Sequence, residues 1–175
     1  SIPGDLLKVF RGDIRNKFDI NTVFKKAEIN DDKILGVIHF AGLKSVSESF
    51  LKPNLYWETN LQGSLNLIHV MEDYECNTIV FSSSATIYSK SQKEYLTEES
   101  LISPSNIYGE TKALVEKVLG SFHKYSKKHW RIANLRYFNP VGAHPSGLIG
   151  ENPNGTPNNI FPIITQIAAG KLKEL

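Results

Sequence analysis

Apolar residues recur along this chain at two spacings, one typical of helices and one of strands. Between Asp19 and Ala27 they fall at i, i+3, i+4 and i+7, which predicts a helix with one buried stripe and Asp19 as its N-cap. Short runs of apolar and β-branched residues predict four strands, at Leu6–Phe10, Gly36–Phe40, Thr78–Phe81 and Arg131–Arg136. The second run contains one polar residue, His39, so we expect a strand buried on both faces and a satisfied core or sheet-edge histidine rather than a ligand.

Three further helices follow from the helical spacing. One begins near Pro53, one is opened by Ser103–Ser105, and one runs from Pro162 to Ala169. The predicted core faces of the first two are Leu61, Leu65, Ile68 and Met71, and Leu114, Val115, Val118, Leu119 and Phe122. Strands that alternate with helices predict a parallel α/β sheet, and the Pro-, Gly- and Asn-rich stretch from Asn139 to Asn159 predicts a long loop.

In a parallel α/β sheet, ligands bind beyond the carboxyl ends of the strands. Small or polar residues occupy that position after each predicted strand, namely Asp13, Ala41-Gly42, Ser84 and Phe138-Asn139. We therefore expect a binding site along this edge of the sheet. Asn60, within the long helix, faces either this site or solvent, and its spacing favours neither reading.

Tyr108 and Lys112 lie four residues apart in a predicted helix and therefore project from the same face. An ammonium beside a phenol favours the ionised form and lowers the phenol pKa from about 10, which makes Tyr108 a candidate general base. Ser84, at the end of a strand, supplies a second hydroxyl. A tyrosine and a lysine at this spacing also occur on solvated helix faces, so the serine strand is what favours a chemical role.

Composition limits the class of protein. The chain has 175 residues, of which 41% are hydrophobic, so it can bury a core, and its net charge is only +2. The basic residues Lys124, Lys127 and Lys128 form too small a patch for nucleic-acid binding. The single cysteine, Cys76, fits a reducing compartment, and no apolar run reaches the roughly 20 residues of a membrane span. We expect a cytoplasmic protein with no nucleic-acid or membrane partner and no metal.

Longer strings of residues carry a resemblance to a known family. They are Gly12–Asn16, Ile38–Lys44, Phe81–Thr86, Tyr108-Gly109, Leu135–Gly147 and Pro157–Asn159. On these strings the sequence resembles the extended short-chain dehydrogenase/reductase family and, within it, the UDP-glucose 4-epimerases. The resemblance implies a Rossmann-like doubly wound parallel sheet, incomplete in this chain. The sequence departs from the family at Ser89, where glycine is usual, and at Ile107, where proline is usual; neither change alters a catalytic group.

The resemblance implies sites for NAD and for a UDP-hexose. The implied NAD contacts are Asp13 and Ile14 beside the adenine, together with Phe40, Ala41, Gly42, Leu43, Lys44, Asn60, Ser84, Tyr108, Lys112 and Phe138. The implied substrate contacts are Ser84, Tyr108, Asn139, Asn159 and Ile160. Residues 1–140 would form part of an NAD-binding domain and residues 141–175 the start of a nucleotide-sugar-binding region, in a protein that forms a homodimer.

The implied reaction is epimerisation at C4 of the hexose. Tyr108 would remove the C4 hydroxyl proton as hydride passes to NAD, Ser84 would hydrogen-bond the reacting oxygen, and Lys112 would stabilise the phenolate. The 4-keto sugar would then rotate and take the hydride back on its other face. One alternative is a 4,6-dehydratase of the same fold, which the Ala85-Thr86 sequence after Ser84 disfavours, because the family's dehydratases carry an Asp-Glu pair there. The other is a non-catalytic NAD-binding protein, which would be expected to lack Tyr108 or Lys112.

One expected motif is missing. A dinucleotide site needs a glycine-rich turn between a first strand and a first helix, and the only close spacing, Gly147–Gly150, lies in a loop. The abrupt start of the sequence favours residues omitted before Ser1. Strands of the usual sheet would then be missing, so we expect the isolated 175 residues neither to bind NAD tightly nor to turn over.

Overall fold

The structure, a computed structural model, describes residues 7–89, 95–151 and 159–174. Two compact units make up the chain, Ser1–Phe138 and Asn139–Leu175. This boundary lies close to the predicted one after residue 140. The functional assignment of the two parts stays a prediction.

A three-stranded parallel sheet forms the centre of the first unit. Its strands are β1 (Val37–His39), β2 (Thr78–Ser84) and β3 (Arg131–Tyr137), in the order β1-β2-β3. Val37 pairs with Ile79 across β1 and β2, and Thr78 pairs with Arg131 across β2 and β3. Because all three strands run in the same direction, their carboxyl ends share one edge, which confirms the predicted parallel α/β sheet.

Five helices lie within the described residues of the first unit. They are α1 (Lys17–Ile29), α2 (Val46–Leu51), α3 (Pro53–Tyr56), α4 (Gly63–Asp73) and α5 (Ile107–Tyr125). A π-helical turn at Trp57–Gln62 joins α3 to α4, and a 3₁₀ turn at Ala85–Ile87 follows β2. The core lies between α1, α4, α5 and β2; its members are Phe24, Leu67, Ile68, Val70, Met71, Cys76, Ile79, Phe81, Val115, Leu119 and Trp130.

The strand predicted at Leu6–Phe10 is wrong over the residues that are described, 7–10, which form no strand. Leu6 lies outside the described residues. Leu7 and Val9 are 63% and 80% exposed. An apolar run becomes a strand only when a neighbouring strand completes its hydrogen-bond ladder, and no strand among the described residues pairs with residues 7–10.

The first helix starts earlier than predicted, and its N-cap is Asn16 rather than Asp19. The Asn16 side chain accepts a hydrogen bond from the Phe18 amide at 3.1 Å. Asp19 instead accepts from the Asp13 amide at 2.9 Å, so its carboxylate holds the chain that enters the helix. Both side chains can cap a helix, and apolar spacing alone does not distinguish them. Of the predicted stripe, Phe24 is buried and the other members are half-buried.

β1 is buried on one face only, which corrects the expectation of two. Ile38 is 67% exposed, because successive side chains of a strand point to opposite faces. His39, on the other face, is 3% exposed, and its Nε2 lies 2.8 Å from Ser64 Oγ. Burial, with a smaller contribution from the charge of Lys112, lowers the pKa of His39 to about 4, so the imidazole is neutral at neutral pH. It is a core residue, as expected.

α5 begins at Ile107, after the predicted opening at Ser103–Ser105. Asn106 is its N-cap and accepts from the Gly109 amide at 2.8 Å. Within the predicted core face, Val115 and Leu119 are buried and Val118 and Phe122 pack against the core, but Leu114 is 38% exposed.

The second unit contains α6 (Ile160–Ala168), which begins two residues before the predicted start at Pro162. Proline is tolerated there because the amides of a first helical turn have no intrahelical acceptor. Residues 139–151 form neither helix nor strand, as predicted for the loop, and residues 152–158 lie outside the described residues. Among the helices that the structure describes, none is long and apolar enough to cross a membrane.

Candidate active site

Ser84, Tyr108 and Lys112 lie together at the carboxyl end of β2. Ser84 ends the strand, Tyr108 is in the first turn of α5, and Lys112 is one turn further on the same helical face. Their exposed fractions are 8%, 9% and 5%. Three groups able to hold or move a proton are therefore shielded from bulk water at one edge of the sheet.

The ammonium of Lys112 is directed at the strand beneath it. Nζ donates to the carbonyl oxygen of Ser82 at 2.8 Å and lies 4.9 Å from the centre of the Phe81 ring and 5.8 Å from that of Tyr108. Burial lowers the pKa of Lys112 to about 8. The side chain is still protonated at pH 7, but it loses its proton at a lower pH than an exposed lysine does.

The phenol of Tyr108 does not have the lowered pKa that the sequence suggested. Burial raises the pKa above its usual value, because the phenolate loses more hydration than the phenol, and a hydrogen bond with Ser84 opposes this only in part. Lys112 directs its ammonium to the Ser82 carbonyl rather than to the phenol oxygen. Ser84 Oγ also accepts from the amide and the hydroxyl of Thr86 at 3.2 and 3.0 Å.

Asn60 faces the interior, so the solvent-facing reading of this residue is wrong. The side chain is 3% exposed; Oδ1 accepts from the Leu43 amide at 2.8 Å, and Nδ2 donates to the Leu43 carbonyl at 3.0 Å and to Thr111 Oγ1 at 3.1 Å. The Thr111 hydroxyl donates to the carbonyl of Tyr108 at 2.7 Å. Asn60 thus joins the loop after β1 to the first turn of α5.

Gly42 is required in that loop. Its φ is +155°, and a Cβ at this position would lie 3.0 Å from Asn60 Oδ1, so a larger residue would displace the amide. On either side, Phe40 is 65% exposed and Ala41 and Lys44 are also exposed. Phe138, which follows β3, is 62% exposed. Small, aromatic and cationic groups therefore line the carboxyl edge of the sheet.

Asp13 and Ile14 lie in the segment that leads into α1. The Asp13 carboxylate accepts from Nε and Nη2 of Arg15, the shortest contact being 2.6 Å, and these bonds lower the pKa of Asp13 to about 2. Ile14 packs closely against Gly63 of α4, where a Cβ would lie 2.7 Å from the isoleucine side chain. This carboxylate is paired with a neighbouring arginine rather than directed at Ser84.

The remaining predicted substrate contacts belong to the second unit. Asn139 is exposed, Asn159 Nδ2 donates to Glu151 Oε1 at 3.2 Å, and Ile160 is the first residue of α6 and 53% exposed. Their part in binding stays a prediction. Within the described ranges, no group of three or more His, Cys, Asp and Glu side chains could hold a metal ion.

A buried ion pair lies beside the site and was not predicted from the sequence. Glu116, 7% exposed on α5, receives bonds from Arg136 of β3, the shortest being Nη2 to Oε2 at 2.7 Å, and from the hydroxyl of Ser83. Helical spacing could have indicated it, because Glu116 lies four residues after Lys112 and therefore on the same face of the helix. A charged residue at the sheet-facing positions of an amphipathic helix needs a partner, and Arg136 in an apolar strand was the candidate.

Comparison with sequence families gives one match over almost the whole chain. The model of the NAD dependent epimerase/dehydratase family matches residues 2–175. UDP-glucose 4-epimerase of Bacillus subtilis (strain 168) is 44% identical over 174 residues, which are 99% of this chain and 50% of that protein. UDP-glucose 4-epimerase of Pisum sativum is 46% identical over 164 residues, or 94% of this chain and 45% of that protein. The chain spans about half the length of these relatives.

Solved structures give the same result. UDP-glucose 4-epimerase from Bifidobacterium longum, in complex with NAD+ and UDP, matches with a TM-score of 0.85 and 41% identity, covering 99% of this chain and 50% of that one. The enzyme from Stenotrophomonas maltophila, with bound NAD and formylated UDP-arabinopyranose, matches with a TM-score of 0.84 and 41% identity, covering 94% and 47%. The sheet and helices described above therefore have the Rossmann-like arrangement of these epimerases.

Proposed function

The chain belongs to the NAD dependent epimerase/dehydratase family, and on that premise we propose that the protein containing it epimerises a UDP-hexose at C4, interconverting UDP-glucose and UDP-galactose. The observation that carries the proposal is the juxtaposition of Ser84, Tyr108 and Lys112 in a shielded position at the carboxyl edge of the sheet. Relatives over 40% identical across nearly the whole chain are UDP-glucose 4-epimerases.

The described residues fit the nicotinamide end of NAD. Gly42 gives the loop after β1 a backbone that only glycine adopts easily, Phe40 leaves an aromatic face open, and Lys112 places a cation 5.8 Å from the centre of the Tyr108 ring. Phe40 to Lys44, Asn60 and Phe138 would hold this part of the cofactor, and Asp13 and Ile14 the adenine. When bound, NAD supplies the acceptor of the C4 hydride and returns it to the sugar, so net redox is zero.

Tyr108 is the residue that moves the proton. As the phenolate, its oxygen takes the proton of the C4 hydroxyl as the carbonyl forms, and the resulting phenol gives it back when the alcohol is restored. Burial opposes the phenolate, so a positive charge is needed nearby, and Lys112 remains protonated at pH 7 to provide it. Ser84 hydrogen-bonds the reacting oxygen and fixes its distance from Tyr108.

Asn139, Asn159 and Ile160 hold the nucleotide sugar, with residues 1–140 in the NAD-binding part and residues 141–175 at the start of the sugar-binding part. The whole protein is a cytoplasmic homodimer that works in galactose metabolism. Family resemblance is the support for each of these statements.

The test uses the full-length protein with UDP-galactose and NAD. We expect UDP-glucose to form without accumulation of NADH. Stoichiometric NADH would indicate a dehydrogenase, and a stable 4-keto-6-deoxy sugar would indicate a 4,6-dehydratase; either result would overturn the proposal. Ala85 and Thr86 follow Ser84, where the dehydratases carry an Asp-Glu pair, and this favours the epimerase outcome.

A further inference from the structure

An ion pair with little exposure joins the helix of the site to the two longer strands of the sheet. Glu116 lies on α5, and Arg136 on β3 reaches both of its carboxylate oxygens, with Nε at 3.1 and 3.2 Å and Nη2 at 2.7 Å. Ser83 of β2 donates its hydroxyl to Oε1 of the same carboxylate. The side chains of Arg136 and Glu116 are 19% and 6% exposed. One carboxylate thus ties three elements together.

The position of this cluster matters for the site. Glu116 lies four residues after Lys112 and eight after Tyr108, so all three side chains leave the same face of α5. Ser83 immediately precedes Ser84 on β2. The contact between Glu116 and Ser83 therefore sets how α5 is aligned along β2, and that alignment fixes the distance from the phenol to the Ser84 hydroxyl.

Arg136 also holds the chain that connects β2 to α5. Its Nη1 donates to the hydroxyl of Tyr88 at 2.9 Å and to the carbonyl of Glu98 at 3.1 Å. The guanidinium carbon lies 5.2 Å from the centre of the Tyr88 ring. Tyr88 pairs with Ile102 in an antiparallel bridge. The segments that leave Ser84 and arrive at Tyr108 are therefore anchored by the same side chain.

Stability alone is a poor explanation for such a pair. Removing two charges from water costs as much as their attraction returns in many proteins, and apolar residues of similar volume often serve equally well. A planar guanidinium that binds a carboxylate through two nitrogens is, however, restrictive in geometry. What the pair adds beyond an apolar contact is a defined alignment.

We propose that Glu116 and Arg136 are positioning residues that hold Tyr108 and Lys112 in register with Ser84. The inference rests on the proposed function of the site, since its consequence is a rate. Neither residue touches the reacting atoms in this arrangement; each acts through α5 and the segments on either side of it.

The experiment compares two kinds of variant in the full-length protein with NAD bound. Glu116→Gln keeps the shape of the side chain but leaves Arg136 without a counter-charge. The double variant Glu116→Leu, Arg136→Met removes both charges and leaves no charge unpaired. Glu28→Gln, at the exposed end of α1, is the matched control for loss of one carboxylate.

We expect Glu116→Gln to lower both Tm and kcat, and the double variant to recover Tm to within a few degrees. Because a misplacement of about 1 Å costs roughly 100-fold in rate, kcat of the double variant stays about 10- to 100-fold low while KM changes less than about 3-fold. Glu28→Gln leaves kcat and Tm unchanged. If kcat of the double variant returned together with Tm, the pair would be merely structural and the inference would be wrong.

A second measurement does not depend on activity. Amide hydrogen exchange in residues 107–112 reports the start of α5, and residues 119–125, beyond the substituted position, report the end of the helix. We expect the double variant to exchange faster in the first segment only. If both segments of the double variant exchanged as slowly as they do in the wild-type protein, the positioning role would be overturned. A wild-type protein that fails to epimerise would instead overturn the proposed function, and the exchange measurement would still decide whether the pair aligns the helix.

Discussion

Tyr108 and Lys112 are both buried, and burial acts against the charged form of each. It raises the pKa of the phenol and lowers that of the ammonium to about 8. For Tyr108 the loss of hydration outweighs the hydrogen bond with Ser84, which acts on the pKa in the opposite direction. Spacing on a helix shows which groups meet, but the direction of their pKa shifts depends on burial, which spacing alone does not report.

Tyr108→Phe removes the proton acceptor and keeps the ring. We expect kcat for UDP-galactose to fall about 100- to 10,000-fold, the range that general acid–base catalysis contributes. Bound NAD, measured by absorbance after release, should be close to the wild-type amount. Tyr125→Phe is the control, because Tyr125 lies on the same helix and is 74% exposed. A Tyr108→Phe protein with more than half of the wild-type rate would exclude the assigned role.

Lys112 should leave a signature in the pH dependence of stability. Its pKa is about 8 in the folded protein, against an ordinary value of 10.5 for a lysine in the unfolded chain. Between these two values the unfolded chain binds more protons, so the free energy of unfolding rises with pH. The full rise from this residue is about 3 kcal/mol, at 1.36 kcal/mol per pKa unit. Urea denaturation of the NAD-free protein from pH 7 to 10.5 measures it.

Lys112→Met should abolish this rise, and Lys117→Met, on the exposed side of α5, should preserve it. The comparison between the two variants cancels the other lysines and tyrosines that titrate in the same range. An unchanged pH dependence in Lys112→Met would show that the buried ammonium is not the source.

α5 approaches the 3₁₀ turn after β2 so closely that position 109 of the helix has room only for glycine. A Cβ on Gly109 would lie 2.5 Å from the carbonyl oxygen of Thr86 and 3.0 Å from Pro104 Cβ. Gly120, further along the same helix, has no heavy atom within 4 Å of such a Cβ. Replacing each of these glycines with alanine should therefore change the stability of the protein in opposite directions.

Gly109→Ala should destabilise the protein by about 1–3 kcal/mol, because α5 must move away from the turn that holds Ser84. Gly120→Ala should stabilise it by roughly 0.5–1 kcal/mol through lower backbone entropy in the unfolded chain. Thermal unfolding measures both. Only Gly109→Ala should also lower kcat, since only that change displaces Tyr108 from Ser84. If the two variants were equally stable, the close approach would not exist in solution.

The start of a helix and the burial of a polar side chain depend on hydrogen bonds that the spacing of apolar residues does not reveal. Asn16 and Asp19 are both good capping residues, and the choice between them depends on the Asp13 amide that Asp19 accepts. Asn60 is buried because the loop after β1 needs a side chain for the Leu43 amide and carbonyl. The Asp13–Asp19 contact depends on how the chain turns into the helix, and the Asn60–Leu43 contacts join a helical turn to a loop, so each became visible only in three dimensions.

For the whole molecule, the alternation of strands and helices predicted the parallel sheet, and the ends of its strands predicted the edge where Ser84 lies. The pairing of Glu116 with Arg136 was not predictable in the same way, because it joins residues of a helix and a strand that follow different periodicities. The strand predicted at Leu6–Phe10 failed over residues 7–10 for a related reason. Apolar content shows that a segment can pair, and pairing needs a neighbour.

The isolated 175-residue chain has an apolar edge that makes a final prediction possible. Within the described ranges β1 pairs on one side only, with β2, and Ile38 and Phe40 are 67% and 65% exposed. An open, apolar strand edge is a template for pairing with another chain. We expect this chain on its own to self-associate, to bind a hydrophobic dye, and to hold no NAD after gel filtration.

Ile38→Lys places a charge on that edge and should shift the isolated chain towards monomer in sedimentation velocity. Ile29→Lys, at the end of α1 and 72% exposed, adds the same charge away from the sheet and should change the distribution little. If both variants reduced association equally, net charge rather than the strand edge would be responsible. Tight NAD binding by the isolated chain would show that its residues alone hold the pyrophosphate, which they are expected not to do without a glycine-rich turn.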